Sequence, residues 1–282
     1  MDEIERWAAG LPEAVAAVCA RWSLTAGAPF EPGGSTAWVA PVRGADGGVA
    51  VLKLVRRHFE AEHEAAGLRV WAGNGAVRLL DHCRVDERTD ALLLEACQPG
   101  TPATVLSPDE QDTVVCRMLR RLWIAAPADG PFRSLAQMCD TWADGVDGTQ
   151  AATLLGDPGL LRAGTELFRV LARDFPDPPV LLSTDLHAGN VLASQREPWL
   201  AIDPKPFVGD RTYDLTQHMI NCDERLAAEP RAFARRMAAL ADVSPERLRQ
   251  WLFARCVVEC DEQPWLAELA RRLHRAGAPQ VT

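Results

Sequence analysis

Asp185, Asn190 and Asp203 lie within the stretch STDLHAGNVLASQREPWLAID, with no cysteine and no second histidine beside His187. Short apolar runs at Val180 to Leu182, Val191 to Ala193 and Trp199 to Ile202 read as strands. The polar loop from Asp185 to Asn190 falls between the first two, QREP forms the next turn, and Asp203 ends the third. A β-loop-β unit of this kind brings three oxygen-bearing side chains to one edge. Oxygen donors alone suit a hard cation such as Mg2+, which takes one or two carboxylates and completes its shell with water and phosphate oxygens.

A second constellation lies earlier. Lys53 ends the strand-like run VAVLK, where a half-buried ammonium needs an anionic partner. Glu64, on the inward face of the next helix, supplies one, and such a pair aims the ammonium at the phosphates of a nucleotide. The preceding turn, Gly33-Gly34-Ser35-Thr36, lets backbone amides approach those phosphates closely.

The elements that must position these groups change character along the chain. Residues 1 to 25 read as two short helices, the second opened by Pro12. Phe30 to Leu54 reads as a hairpin around RGADGG, and His58 to Ala72 as a helix with Glu64, Leu68 and Trp71 on one face. AVRLLDHC and ALLLEAC supply two more strands, after which QPGTP breaks the pattern and strands become scarce. Ser107-Pro108-Asp109-Glu110 opens a capped helix, another runs from Pro158 to Ala172, and more follow from Tyr213, Pro230, Pro245 and Gln263. The reading is an α+β fold: a β-rich lobe over residues 1–97 and a larger, mainly helical lobe over 98–282.

Composition limits the partners. With 48% hydrophobic residues the chain can bury a sizeable core, and a net charge of -9 argues against a nucleic-acid partner, whose phosphates need clustered Lys and Arg. The acidic opening MDEIERW lacks the basic segment of a signal peptide, and no apolar run is long enough to span a membrane, so a cytoplasmic protein is expected. The 8 cysteines are scattered and read as small buried apolar side chains. His63-Glu64 resembles the start of a zinc-protease helix, but Gly67 stands where the second histidine would be.

Taken in order, D-L-H-A-G-N from Asp185, I-D-P at Ile202 to Pro204 and G-D-R-T-Y-D at Gly209 to Asp214 resemble the catalytic segment of the aminoglycoside phosphotransferase superfamily, relatives of protein kinases. HEAAGLRVW, GNGAVRLL, LLLEAC and WLAIDPKPFVGD narrow the resemblance to aminoglycoside and hydroxyurea resistance kinases, the group that includes streptomycin 6-phosphotransferases. It covers roughly residues 30 to 260. The resemblance implies a bilobal protein-kinase-like fold that uses ATP and Mg2+. Asp185 then matches the base that orients the acceptor hydroxyl and takes its proton; Asn190 and Asp203 match the Mg2+ ligands. Lys53 and Glu64 match the strand lysine and its helix partner, and Glu95 to Cys97 the segment whose backbone bonds adenine; Gly34, Ser35 and Thr36 complete the nucleotide site. Asp210 and Asp214 match supports of the catalytic loop. Two departures stand out: Ser183-Thr184 replaces the usual His-Gly, and Pro204-Lys205 follows the metal aspartate, which argues against an activation switch.

The acceptor is expected to be a small hydroxylated cation, first a streptomycin-type aminoglycoside, with hydroxyurea, an amino sugar or another hydroxylated metabolite as alternatives. A catalytically silent nucleotide-binding module is the reading from another class. Carboxylates that could meet a polycationic sugar are Asp140, Asp144 and Asp147 in one helix and its loop, Asp223 and Glu224, and Glu259, Asp261 and Glu262. Trp123, Trp142, Trp251 and Trp265 recur at helical spacings and read as core.

Overall fold

The chain begins with α1 (Glu3–Trp22), a single helix that runs through Pro12. Sequence punctuation divided this segment at the proline. Pro12 removes one N–H from the helix, but Trp7 and Val18, buried on either side of it, hold the helix in one piece. The computed structural model describes residues 3–31, 33, 36–146 and 150–275. Two compact units emerge, one of Met1–Ala103 with Val191–Pro206, the other of Thr104–Asn190 with Phe207–Thr282. The chain therefore returns to the first unit after Asn190, a step that a division at residues 97/98 does not contain.

In the first unit, β1 (Leu24–Ala26), β2 (Ala37–Gly44) and β3 (Val49–Arg56) are followed by α2 (Glu64–Trp71), β4 (Leu79–Arg84) and β5 (Thr89–Glu95). The strands form one antiparallel sheet in the order β1-β2-β3-β5-β4. Gly47, at φ +82, turns the β2–β3 hairpin, and Asp46 accepts a hydrogen bond from Gly48 N to close it. Val18 of α1 shares an apolar cluster with Val42, Leu52, Leu54 and Ala91. Because side chains alternate along a strand, Leu52 and Leu54 on that face put Lys53 on the other.

The second unit opens with α3 (Pro108–Leu122), α4 (Leu135–Gly145), α5 (Ala151–Leu155) and α6 (Pro158–Leu171), then β6 (Val180–Leu182). Ser107 with Glu110 and Ser134 with Gln137 form capping boxes, and Asp157 accepts from Gly159 N at 2.7 Å to start α6. β7 (Val191–Ala193) and β8 (Trp199–Ala201) then pair antiparallel in the first unit. β9 (Phe207–Gly209) pairs with β6, so Val180–Leu182 and Val191–Ala193 belong to two separate ribbons rather than to one β-loop-β unit. The described residues continue with α7 (Arg211–Ile220), α8 (Asp223–Ala228), α9 (Pro230–Ala241), α10 (Pro245–Val258) and α11 (Trp265–Arg275). α10 is the axis of this unit: Trp251, Leu252, Cys256 and Val257 are all fully buried, and it packs on α6, α7, α9 and α11. Asp112 on α3, also fully buried, accepts from Arg225 and Arg236 and lies 3.2 Å from His218 Nε2, which ties α3 to α7, α8 and α9.

Gly67 sits where α2 comes closest to the returning segment. A Cβ there would lie 2.4 Å from Pro206 Cγ and 2.9 Å from Trp71 Cζ3. Alanine improves intrinsic helix propensity by about 1 kcal/mol, but overpacking typically costs about 1–3 kcal/mol. Gly67→Ala is therefore expected to lower the Tm, and a thermal melt against wild type checks it.

Candidate active site

In the first unit Lys53 Nζ donates to Glu64 Oε1 and Oε2 at 2.8 and 2.7 Å and to Asp203 Oδ1 at 2.5 Å. Lys53 and Glu64 side chains are 6% and 2% exposed, whereas Asp203 is 43% exposed. The carboxylate of Asp203 is thus the open end of the triad. Burial alone would lower the lysine pKa, but the two carboxylates outweigh it and the ammonium is held in its charged form above the ordinary range. Burial raises the Glu64 carboxyl against the pull of Lys53, so the charge of the set is concentrated at Asp203, whose exposed oxygens are of the kind that a divalent hard cation takes. Asp203 adopts φ +52, a left-handed backbone rarely used outside glycine, which strains the residue at the point where it presents its carboxylate.

The end of β5 is braced by an arginine that the sequence did not single out. Arg196, in the β7–β8 turn, donates from Nε and Nη2 to both oxygens of Glu95 at 2.8 and 3.0 Å, and also to Gly73 O and Ala76 O. Arg78 N donates to Glu95 Oε2 as well. Burial raises the Glu95 pKa, but these donors outweigh it and the carboxyl is lowered. The Glu95 side chain therefore fixes the segment whose backbone continues to Cys97, where burial pushes the thiol up to about 11. Thr36 accepts from Arg56 N at 2.8 Å through its carbonyl, which ties the end of the glycine turn to β3. Gly34 and Ser35 lie outside the described residues, as does Asp147.

In the second unit, the loop after β6 is held from below by Asp214 of α7. Its carboxylate accepts from Ser183 N at 3.1 Å, Thr184 N at 2.7 Å and Trp123 Nε1 at 2.9 Å. Burial pushes its carboxyl up to about 6, against the pull of these three donors. Thr184 takes φ +50, and this accounts for the glycine usual at that position: the loop needs a left-handed residue before the aspartate, and a β-branched threonine fills it under strain. Ser183 Oγ is buried without a hydrogen-bond partner among the described residues. Beyond the strained residue, Asp185 Oδ1 accepts from Gln217 Nε2 at 2.8 Å, and Asn190 Nδ2 donates to Asp185 O at 2.9 Å. That bond turns the Asn190 amide oxygen away from the Asp185 carbonyl. Gly189 N donates to His187 Nδ1 at 3.2 Å, so His187 braces the loop. Asp210 caps α7 through Thr212 N and accepts from Arg247 Nε and Trp251 Nε1, both at 2.6 Å, which fastens α7 to α10.

The candidate acceptor-binding acids are mostly engaged. Asp144 pairs with Arg169 at 2.5 Å and Asp140 with Arg173. Glu259 accepts from Arg255 Nε at 2.5 Å, Asp261 from Gln150 N at 3.0 Å, and Asp223 from Glu224 N at 2.8 Å. Glu262 is exposed in the turn before α11. Of the tryptophans, Trp251 is fully buried and Trp142 stacks on Phe168, as expected of core, while Trp123 also supports Asp214. Gln217 went unnoticed although it lies one turn after Asp214 on the same helix face. Arg255 carried no signal at all.

The family model described as aminoglycoside/hydroxyurea antibiotic resistance kinase matches residues 21–269. The chain belongs to this kinase family. Among relatives, the streptomycin 6-kinase of Streptomyces griseus is 37% identical over 264 residues, covering 90% of this chain and 83% of the relative. A hydroxyurea phosphotransferase of Kitasatospora aureofaciens is 38% identical over 257 residues, covering 89% and 72%. The aminoglycoside phosphotransferase APH(4)-Ia shares the fold at a TM-score of 0.65 with 16% identity, covering 95% of this chain and 99% of that one. The kinase is thus a phosphotransferase with a protein-kinase-like architecture, a five-stranded antiparallel sheet in one unit and a mainly helical other unit.

Two outcomes follow from the loop of this kinase. Thr184→Gly relieves left-handed strain of about 1–2 kcal/mol, less the conformational freedom that glycine gains in the unfolded chain. It is expected to raise the Tm by a few degrees, as calorimetry will read. Between pH 3.8 and about 6 the folded chain holds a proton at Asp214 that the unfolded chain has released, so this group's stabilising contribution is complete below 3.8 and lost as pH rises through about 6. Asp214→Asn removes that slope. The difference in unfolding free energy, wild type minus variant, should shrink between about pH 4 and about pH 7 in denaturant titrations.

Proposed function

We propose that the protein transfers the γ-phosphoryl group of ATP to a hydroxyl of a small molecule, with a streptomycin-type aminoglycoside as the acceptor. The observation that carries this reading is the pair of built ionic sets, Lys53-Glu64-Asp203 in one unit and Asp185-Asn190 on its Asp214-braced loop in the other. Lys53 is assigned to the nucleotide phosphates and Asp203, with the amide oxygen of Asn190, to Mg2+. When bound, the ion neutralises charge on the phosphoryl oxygens. Asp185 orients the acceptor hydroxyl and takes its proton, and the strained backbone at Thr184 sets where its carboxylate stands. Glu95 to Cys97, held by Arg196, are assigned to adenine, and Gly34, Ser35 and Thr36 to the phosphates. Phosphoryl transfer asks mainly for positioning and charge neutralisation, and this is what such preorganised groups supply.

The acceptor site is assigned to acids of the second unit: Asp140, Asp144, Asp223, Glu259, Asp261 and Glu262. Hydroxyurea is a second acceptor reading with its own support. The hydroxyurea phosphotransferase relative is as similar as the streptomycin kinase, and guanidinium partners already offset the charge of Asp140, Asp144 and Glu259. A small neutral acceptor asks for less negative charge than a polycationic sugar.

Purified protein incubated with MgATP and, separately, streptomycin, hydroxyurea and an amino sugar should phosphorylate streptomycin fastest, read by mass spectrometry of the product. Asp185→Ala should lower kcat by about 10²–10⁴-fold while leaving the ATP dissociation constant within a few-fold. A variant that kept its rate would sink the assignment of the base.

A further inference from the structure

Asp185 does not stand alone on its loop. Gln217 Nε2 donates to its Oδ1 at 2.8 Å, and Gln217 Oε1 in turn accepts from Arg255 Nη2 at 2.8 Å. Arg255 also donates from Nη1 to Thr216 Oγ1 at 2.8 Å and from Nε to Glu259 Oε1 at 2.5 Å. Arg255 is 2% exposed, and its guanidinium lies over the rings of Tyr213 and Trp142, at 5.1 and 5.9 Å from their centroids. A carboxamide has one donor end and one acceptor end, and its orientation is decided by what it faces. Arg255 only donates, so it is satisfied by the oxygen of Gln217 and not by the nitrogen. The amide nitrogen must then point at Asp185. Thr216 is locked as well, since its hydroxyl donates to Tyr213 O at 2.6 Å and so presents a lone pair to Arg255.

We infer that Gln217 is a positioning residue for the base Asp185, and that Arg255, clamped by Glu259, sets the direction of its amide. This rests on the reading of Asp185 as the base. It gives Glu259 a role in orienting the base in addition to, or instead of, any contact with the acceptor. Burial disfavours the Arg255 charge, but Glu259 outweighs it, so the clamp keeps its polarity across the working pH range. The chain of contacts delivers a permanent donor to one oxygen of the base, which fixes the plane of the carboxylate and keeps that oxygen an acceptor. Placement of a reacting group is worth much: a displacement of about 1 Å can cost about 100-fold in rate.

Three variants separate this role from a packing role. Gln217→Glu exchanges the amide for a carboxylate that still pairs with Arg255, so the fold is kept, but it turns a like charge onto Asp185. Gln217→Met keeps volume without either polar end. Gln217→Asn restores the amide on a shorter stem. The readouts are Tm, kcat and KM for ATP and acceptor, with slow ATP hydrolysis, in which water replaces the acceptor, measured beside transfer. The expected result is a kcat lower by about 10-fold to 100-fold in the Glu and Met variants, KM for ATP within twofold, Tm within a few degrees, and partial recovery in Asn. Gln217→Met or Gln217→Glu with kcat within twofold of wild type would overturn the inference. So would losses of kcat that track losses of Tm. If the wild type hydrolyses ATP but phosphorylates none of the acceptors, the acceptor reading fails, and the ratio of hydrolysis rates still decides on Gln217. Hydrolysis unaffected by Asp185→Ala would end the inference together with the assignment of the base.

Discussion

A charged side chain taken out of water must meet donors or acceptors in fixed geometry, or it costs several kcal/mol. This protein buries such groups wherever its candidate chemistry lies: Lys53 with Glu64, Asp214 beneath the loop, Arg255 with Glu259, and Asp112 with its arginines. Each carries only a few allowed arrangements, because removing a partner leaves an uncompensated charge. The ionic sets therefore act as registration points. Lys53 ties β3 to α2 and to Asp203; Asp214 ties α7 to the loop bearing Asp185; Arg255 ties α10 to α7.

Strain and close approach sharpen the same picture. Thr184 and Asp203 both take left-handed backbone next to or at the groups assigned to chemistry, a conformation that costs of order 1–3 kcal/mol each. It persists because the surroundings over-determine it: Asp214 holds the amide of Thr184, and Lys53 holds the carboxylate of Asp203. Gly67 lets α2 approach Pro206 more closely than any side chain would permit, just beyond Asp203 in the chain. The same position was the one that excluded a zinc-protease helix. Its small size is thus used by packing rather than by metal chemistry.

Much of this was legible before any coordinates. The strand run VAVLK, the helical face Glu64-Leu68-Trp71 and the capped start at Ser107 carry periodic or local signals, and each appears where expected. Pro12 was misread because a proline's local penalty is visible in sequence, whereas the buried Trp7 and Val18 that outweigh it are not visible as partners. The pairing of β6 with β9 instead of β7 was hidden for a similar reason, since strands of three residues hold too little pattern to name their neighbour.

By itself the sequence determined which chemical groups the chain carries, their order and the local elements that bear them, because helix caps, turns and alternation depend on residues near one another. Only the tertiary structure decided which donor meets which carboxylate. Trp123 reaches Asp214 across 91 positions, Arg196 reaches Glu95 across 101 and Arg255 reaches Gln217 across 38. No period links such distant residues. Their pairing is selected by the burial that packs the elements of each unit together, and by the cost of leaving a buried polar or charged group unanswered.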